Sequence, residues 1–557
     1  MEDHRGSSRG GRQSFLYGTT VLAAAIVAVK ILGALFKIPL AGIIGTEGYG
    51  HYFIAYNIYC LLLSISTGGL PVALSKMIAE ANAEKRYNQA RKTARIALKI
   101  LFTAGVVFTA AMLACSKWLA DVQGDSLAYR SILALAPSVF FVCVVSAYRG
   151  TFQGNANMTP TAVSQVVEAV GKIVVGLSLA YLLVDVRGMG AEFGAFGAIV
   201  GVTSGTAVSM VYMLIYKRRH NPARIRPAQD VPDPAGTIVR RFAALAVPIT
   251  VSASIMTIVT FIDNTVVLNL LEHVHRQSVE AACSIYGIYN AVLTVINLPV
   301  SLMAAVSASM IPAISERIAR RDRDGALETA TSGLRLTSLV CLPSTVGLLL
   351  LATPILSVLY FNQPDIASGG SSLLMILAPV VAANSFVLVT NSILQAYGHA
   401  SFSMVSMAFG GVIKIALDIL LISKTQVTVF GVRIMSEPIM GAALGTLCCF
   451  LAIAALNTVY LLVKVRLRIP FYPVFGKPLL CSAVMGAGAW SVYGLVFRLA
   501  ANLYLGLTAT MAIALAAAMA AAVAIYVILV VMTRCVTRGD VAYLPRGDKI
   551  ASAMHLK

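Results

Sequence analysis

Residues 15–44 read FLYGTTVLAAAIVAVKILGALFKIPLAGII, and Lys30 and Lys37 are the only charges in the stretch. As a helix at about 1.5 Å per residue it is roughly 45 Å long, more than enough to cross a hydrocarbon core of about 30 Å. Arg5, Arg9 and Arg12 precede it. The apolar run is too long for a signal-peptide core and lacks a small-residue cleavage site, so it reads as the first membrane helix of the mature chain.

Working outward, the same pattern recurs to the end. Apolar segments fall at 15–44, 52–79, 93–115, 127–150, 159–185, 193–216, 240–271, 280–315, 331–353, 368–396, 402–423, 439–463, 479–500 and 507–533. The expected fold class is therefore an all-α integral membrane protein of about fourteen transmembrane helices. The composition agrees: of 557 residues 58% are hydrophobic and only 12% charged, against roughly 25% charged in soluble domains. No stretch between the segments is suited to fold as a separate soluble domain.

The net charge of +19 would suggest nucleic acid as a partner in a soluble protein. Here the Lys and Arg residues lie in short loops and report topology instead, so no nucleic-acid partner is expected. With the N-terminus inside, the inner loops and tails hold 27 Lys/Arg and the outer loops seven. The positive-inside rule thus places both termini in the cytoplasm. The nine cysteines lie mostly in apolar segments (Cys60, Cys143, Cys341, Cys448, Cys449). Neither a CxxC pair nor a Cys/His cluster has metal-ligand spacing, so neither a disulfide nor a metal site is expected.

The longest hydrophilic break, residues 217–241, is rich in Pro and charge and separates spans 6 and 7. Across it the chain repeats itself. Leu135-Ala136-Pro137 matches Leu377-Ala378-Pro379, Gln153 matches Gln395 and Lys172 matches Lys414, all at an offset of 242. Leu74-Ser75 and Ile78-Ala79 match Ile314-Ser315 and Ile318-Ala319 at 240, while Gly197-Ala198-x-x-Gly201 matches Gly441-Ala442-x-x-Gly445 at 244. The expected organisation is an N-terminal lobe of six spans (1–216), a cytoplasmic linker (217–239), a second six-span lobe (240–463), and two further helices with a cytoplasmic tail (464–557). Six spans per unit is an even number, so the repeats run parallel, with a substrate site expected between them.

Charges inside spans are costly, about 2.5–3.5 kcal/mol at the bilayer centre on insertion scales, and so mark candidate sites. Lys30 and Lys37, seven residues apart, lie within about 20° of one another around a helix. Either Lys37 snorkels to the headgroups while Lys30 pairs with an acid elsewhere, or both line a wet cavity and attract an anion. Glu168 with Lys172, and Lys414 with Asp418, are i,i+4 pairs able to neutralise themselves. The repeat nevertheless puts Lys172 and Lys414 at equivalent positions, where two cations suit the two ends of one anion. Asp263 has no local cation, and pairing with a first-span lysine or binding a coupling ion both fit it. Gly68-Gly69-Leu70-Pro71 and Pro137, Pro248, Pro299, Pro312, Pro343 and Pro379 interrupt the helix ladder, as packing kinks or as joints for alternating access.

The run Lys30-Ile31-Leu32-Gly33-Ala34-Leu35-Phe36-Lys37-Ile38-Pro39-Leu40, then Gly45-x-x-Gly48-Tyr49-Gly50, then Gly69-Leu70-Pro71-Val72-Ala73-Leu74-Ser75-Lys76 resembles one known group. It is the polysaccharide-exporter, stage V sporulation protein B-like branch of the multidrug/oligosaccharidyl-lipid/polysaccharide (MOP) flippase superfamily, related to the lipid II flippase MurJ. The resemblance covers nearly the whole chain, including the two extra C-terminal helices. It implies a two-lobed bundle that moves an undecaprenyl-diphosphate-linked saccharide from the inner to the outer leaflet of a bacterial plasma membrane. It also implies a central cavity lined by basic residues of the first helix, here Lys30 and Lys37. Where MurJ-like proteins carry arginines in helices 2 and 8, residues 61–64 and 289–293 hold no cation.

The substrate-binding candidates are thus Lys30, Lys37, Lys172 and Lys414, and the ion-coupling or ion-pair candidates Asp263, Glu168 and Asp418. No catalytic residue and no cofactor is expected. Neither is ATP, for want of a Walker A sequence, and coupling falls to Na⁺, H⁺ or membrane potential. The expected partners are a lipid-linked oligosaccharide, membrane lipids and cell-wall synthesis proteins. A cation-coupled multidrug exporter on the same scaffold is the first alternative, and lysine-rich spans weigh against it. A membrane enzyme or scaffold of envelope synthesis is the second. The seven histidines, scattered over loops and tails, weigh against acid/base or metal chemistry.

Overall fold

The computed structural model describes residues 6–219, 230–424, 427–429, 432–435, 437–467, 469–502 and 506–535. Residues 220–229 of the expected linker and the expected tail from 536 lie outside the described residues. The helices are α1 (Gly6–Gly68), α2 (Leu70–Ala83), α3 (Tyr87–Val122), α4 (Tyr129–Gly154), α5 (Thr159–Tyr181), α6 (Ala191–Arg219), α7 (Ala235–His273) and α8 (Val279–Ala319). They continue as α9 (Arg323–Leu350), α10 (Ala352–Leu359), α11 (Pro364–Ala396), α12 (Ala400–Ile422), α13 (Ile439–Tyr460), α14 (Lys477–Ala501) and α15 (Leu507–Met532). A short antiparallel hairpin, β1 (Val427–Val429) with β2 (Val432–Met435), joins α12 to α13.

Thirteen stretches of the described chain are long and apolar enough to cross a membrane, and one of them, Ala24–Ala83, runs for 60 residues. At about 1.5 Å per residue that is roughly 90 Å, three bilayer cores. It is broken at Gly45, whose φ of 70° and ψ of −179° lie in a region open in practice only to glycine. Splitting there gives fourteen crossings, in line with the sequence. A second break falls at Gly69, where Pro71 sits in the first turn of α2 and needs no N–H donor. The Gly-Gly-Leu-Pro run is therefore a helix boundary inside the expected second span.

The chain forms two compact units, one ending at Gly287 and the other beginning at Ile288. In the first, α7 packs on α1 and α2. Ile238, Phe242 and Ala246 share a core with Ala73, Leu74, Met77 and Ile78 of α2 and with Ala90 and Ala97 of α3. The core of the second unit joins Met310 and Ile314 to Ala326, Ala330 and Leu334 of α9 and to Val389, Ile393 and Leu394 of α11. Beyond the repeat, α14 and α15 pack on one another, and Ala489, Leu515 and Ala518 meet Leu351.

The described end of the linker is docked. α3 starts without a side-chain cap of its own, and Asp230 supplies one from a distance: its carboxylate accepts from the backbone N–H of Asn88 (2.8 Å) and of Gln89 (2.9 Å). Arg86 pairs with Asp233 at 2.7 Å, and Lys92 donates to the Asp233 carbonyl at 2.7 Å. Desolvation opposes the Asp230 charge, but those two N–H donors, together with its own backbone N–H and the nearby Arg86 charge, outweigh it and hold the carboxyl below its usual range.

Two tests follow from these features. Gly45→Ala should destabilise the protein by about 1–3 kcal/mol, since an L side chain is strained at that φ/ψ; thermal melting of the detergent-solubilised protein checks this, and an unchanged midpoint would contradict the break. Asp230→Ala should cost about 1 kcal/mol, as loss of a helix cap does. Because the folded carboxyl titrates below its unfolded value of about 3.9, the cap contributes fully above that pH and fades as pH falls through the lower folded value. The difference in melting between wild type and Asp230→Ala should therefore shrink only in acid.

Candidate substrate site

The site is built on the segment of α1 after the Gly45 break. Tyr49, Tyr52, Tyr56 and Tyr59 follow at spacings of three, four and three, which puts them on one helical face. Tyr49 stacks on Tyr52, and Tyr52 stacks on Tyr56 with ring centroids 5.3 Å apart. This aromatic stripe receives two lysines. Lys37 places its Nζ 4.7 Å from the centre of the Phe53 ring and 4.8 Å from that of Tyr56. Lys172 of α5 places its Nζ 4.4 Å from the Tyr56 centre and 4.7 Å from that of Phe36. Two ammonium groups from different helices thus share one ring, and each is half-buried.

The acid one turn before Lys172 is engaged elsewhere. Glu168 accepts from Arg149 Nη2 at 2.9 Å and from the Tyr59 hydroxyl at 3.2 Å. Arg149, buried on α4, also donates to Ser164 Oγ at 2.9 Å and to Ser209 Oγ at 3.3 Å. Among the described residues neither Lys37 nor Lys172 forms an ion pair, and the rings supply the favourable electrostatics instead, about 0.5–2 kcal/mol per contact. Lys30 is exposed on the same helix, and a Cβ on Gly33, between the two lysines, would meet nothing within 4 Å. The space beside this face of α1 is open.

The helices that carry these groups cross at glycines. A Cβ on Gly201 of α6 would lie 2.3 Å from the Cα of Gly176, and one on Gly205 would lie 2.4 Å from the Glu168 carbonyl oxygen. Only small residues permit such backbone contact between membrane helices.

The second unit treats its equivalent lysine differently. Lys414 of α12, nearly buried, donates to Asp418 at 3.2 Å and to the Thr446 hydroxyl at 2.8 Å, and that hydroxyl also lies 3.0 Å from Tyr289 Oη. Lys172 and Lys414 thus share a position in the repeat but not an environment. Asp263 is buried on α7 beside Asn264, in the first unit. A cavity of about 350 Å³ lies elsewhere in that unit, lined by Arg91, Arg95, Tyr148, Asn155 and Lys217, and contains none of the expected site residues. Sequence reasoning passed over Arg149 and the tyrosines, although the 3-4-3 spacing of the stripe was there to be read.

Comparison with known proteins agrees with this architecture. Residues 15–317 match the polysaccharide biosynthesis protein family and residues 248–420 the MatE family. Stage V sporulation protein B of Bacillus subtilis (strain 168) is 26% identical over 86% of this chain and 89% of its own length. The lipid II flippase MurJ of the same organism is 27% identical over 74% of this chain and 78% of its own. A solved structure titled as lipid II flippase MurJ in an inward closed conformation superposes with a TM-score of 0.67 at 17% identity, covering 92% of this chain and 98% of that one. The fold and these matches define a multi-pass transporter of the flippase type. The chain belongs to the polysaccharide biosynthesis protein family, in the flippase branch of the MOP superfamily.

Arg149→Met should destabilise the protein by about 3 kcal/mol, because it leaves the Glu168 carboxylate without its partner in a partly buried site. The double variant Arg149→Met/Glu168→Leu should recover much of that loss, as coupled residues do. Thermal melting of the purified protein reads both, and strictly additive losses would contradict the pairing.

Proposed function

We propose that this protein flips an undecaprenyl-diphosphate-linked saccharide from the inner to the outer leaflet of a bacterial plasma membrane, with both termini cytoplasmic. The observation that supports the reading most is the pair of lysines, Lys37 and Lys172, held at one tyrosine ring with their charges not spent on a carboxylate. A diphosphate cannot enter hydrocarbon unaided. Ammonium groups recognise it as point charges, while the polyprenyl chain stays in lipid. Lys30, exposed about two helical turns earlier, extends the positive surface along α1.

Binding of the headgroup relieves the repulsion between the two ammoniums, so the loaded and empty states differ in energy at this site. Alternating access at this site would draw on membrane potential or a cation gradient. The family membership and the names of the relatives favour a lipid-linked saccharide over an amphipathic drug as cargo. Cell-wall synthesis proteins are the partners such a carrier would serve.

The test is flipping of a fluorescent polyprenyl-diphosphate oligosaccharide in proteoliposomes. Lys37→Ala and Lys172→Ala should each slow it at least tenfold, about 1.4 kcal/mol in the barrier. Lys172→Arg, which keeps the charge, should retain more activity than Lys172→Ala. Wild-type rates in both alanine variants would overturn the reading, and export of organic cations without lipid flipping would replace it with the multidrug one.

A further inference from the structure

Three segments far apart in the sequence converge in the first unit. His51 lies on α1 six residues past the Gly45 break, Asp125 in the connection from α3 to α4, and Cys283 in the opening turns of α8. All three are buried, at 0%, 1% and 0% exposure. Each offers one ligand atom, and those atoms lie within 4.8 Å of one another. The His51 imidazole places Nδ1 2.5 Å from Asp125 Oδ2. Its Nε2 is buried without a hydrogen-bond partner, and the Glu47 carboxylate stands 3.6 Å from it.

The backbone holds these groups in place. Asp125 Oδ1 accepts from the N–H of Leu127 (2.9 Å) and of Ala128 (3.3 Å), which fixes the carboxylate plane. A Cβ on Gly50 would strike the Cys283 carbonyl oxygen at 2.1 Å, and one on Gly287 would strike the Thr46 carbonyl oxygen at 1.9 Å. α1 and α8 therefore touch backbone to backbone beside the cluster, and Cys283 cannot drift from His51.

An ion pair of imidazolium with Asp125 would satisfy two of these groups. It requires neither a thiol in the same spot nor a second carboxylate at the rim. A thiolate, an imidazole nitrogen and carboxylate oxygens are together the donor set of a borderline-soft divalent ion such as Zn²⁺. Around a tetrahedral Zn²⁺ such donors stand roughly 3.3–3.8 Å apart; side-chain rotation has to open the 2.5 Å contact of His51 with Asp125 and draw in the widest separations, which do not exceed 4.8 Å.

We propose that His51, Asp125 and Cys283 bind one Zn²⁺-class ion, with Glu47 as the fourth donor. The thiol gives its proton to solvent on binding; the thiolate and the Asp125 and Glu47 carboxylates then carry three negative charges against the dication, and the one in excess falls at the solvent-facing rim where Glu47 stands. Glu47, whose side chain is 39% exposed, marks the way in. The ion clips the bend of α1, the α3–α4 connection and the start of α8, three turns that the charge pattern puts on the outer face. No spacing in the sequence announces such a site, since His51 and Asp125 alone are 74 residues apart.

The test uses the full-length protein in detergent, stripped with a chelator and titrated with Co²⁺ and then Zn²⁺. One equivalent of Co²⁺ should bind with a thiolate-to-metal charge-transfer band, Zn²⁺ should displace it, and Zn²⁺ should raise the melting temperature. Cys283→Ser, a near-isosteric change, should abolish the band and weaken binding at least about tenfold. His51→Gln should weaken binding comparably, whereas Cys481→Ser should change nothing. Absence of Co²⁺ and Zn²⁺ binding by the folded wild type, or an undiminished band in Cys283→Ser, would overturn the proposal.

Discussion

An ammonium group carried on a membrane helix has to be neutralised, cushioned or hydrated, because its insertion costs several kcal/mol otherwise. The duplicated halves of this chain meet that constraint in two ways. At an offset of 242, Lys172 corresponds to Lys414, Gly176 to Asp418, Glu168 to Gly410 and Arg149 to Asn391. In the second half the acid one turn after the lysine neutralises it, and the Thr446 hydroxyl accepts from it as well. In the first half that position is glycine, and the acid one turn before is taken by Arg149. Lys172 is left to the aromatic rings of α1.

This divergence rides on a helix crossing that the two halves share. A Cβ on Gly197 would meet Ala180 N and the Leu179 carbonyl carbon at 3.0 Å; on its counterpart Gly441 it would meet Ile422 N at 2.9 Å and the Leu421 carbonyl carbon at 3.0 Å. The contacted residues are themselves related by 242, so α5 on α6 and α12 on α13 are one packing used twice. One turn further on, Gly201 lies against Gly176, whereas Gly445 leaves room for the Asp418 side chain, which a Cβ would meet at 2.1 Å. The small-residue seam explains why a glycine can be exchanged for an aspartate there without moving the helices apart.

Much of this was legible beforehand, and the physical reasons differ by feature. The fourteen crossings follow from length and apolar composition, since a bilayer imposes a fixed span on any helix. The repeat was readable because its glycines and lysines keep their spacing. What spacing alone could not convey is partnership across helices. Glu168 and Lys172 look self-sufficient at i,i+4, and only the approach of α4 reveals that Arg149 claims the acid. The break at Gly69 was visible as Gly-Gly-Leu-Pro, but its standing as a boundary rather than a kink depends on backbone geometry. His51, Asp125 and Cys283 are scattered in the chain, so their meeting belongs to tertiary structure alone.

The strengths of the two kinds of lysine environment also bear on how a carrier could use them. Taking one partner from a buried ion pair costs about 3–5 kcal/mol, so recruiting Lys414 to a passing anion would mean first breaking its contact with Asp418. A cation over an aromatic face is held by about 0.5–2 kcal/mol, and the ring can stay in place while the ammonium gains an anion. Under the proposed function, Lys37 and Lys172 are the lysines suited to that exchange, and Lys414 is not. The weakness of the cushion matters as much on release, because a substrate that must leave on the far side cannot be held by a site whose empty state is much less stable than its full one. In the proposed carrier the aromatic contacts offset part of the repulsion in the empty site, which reduces that difference and favours turnover over capture.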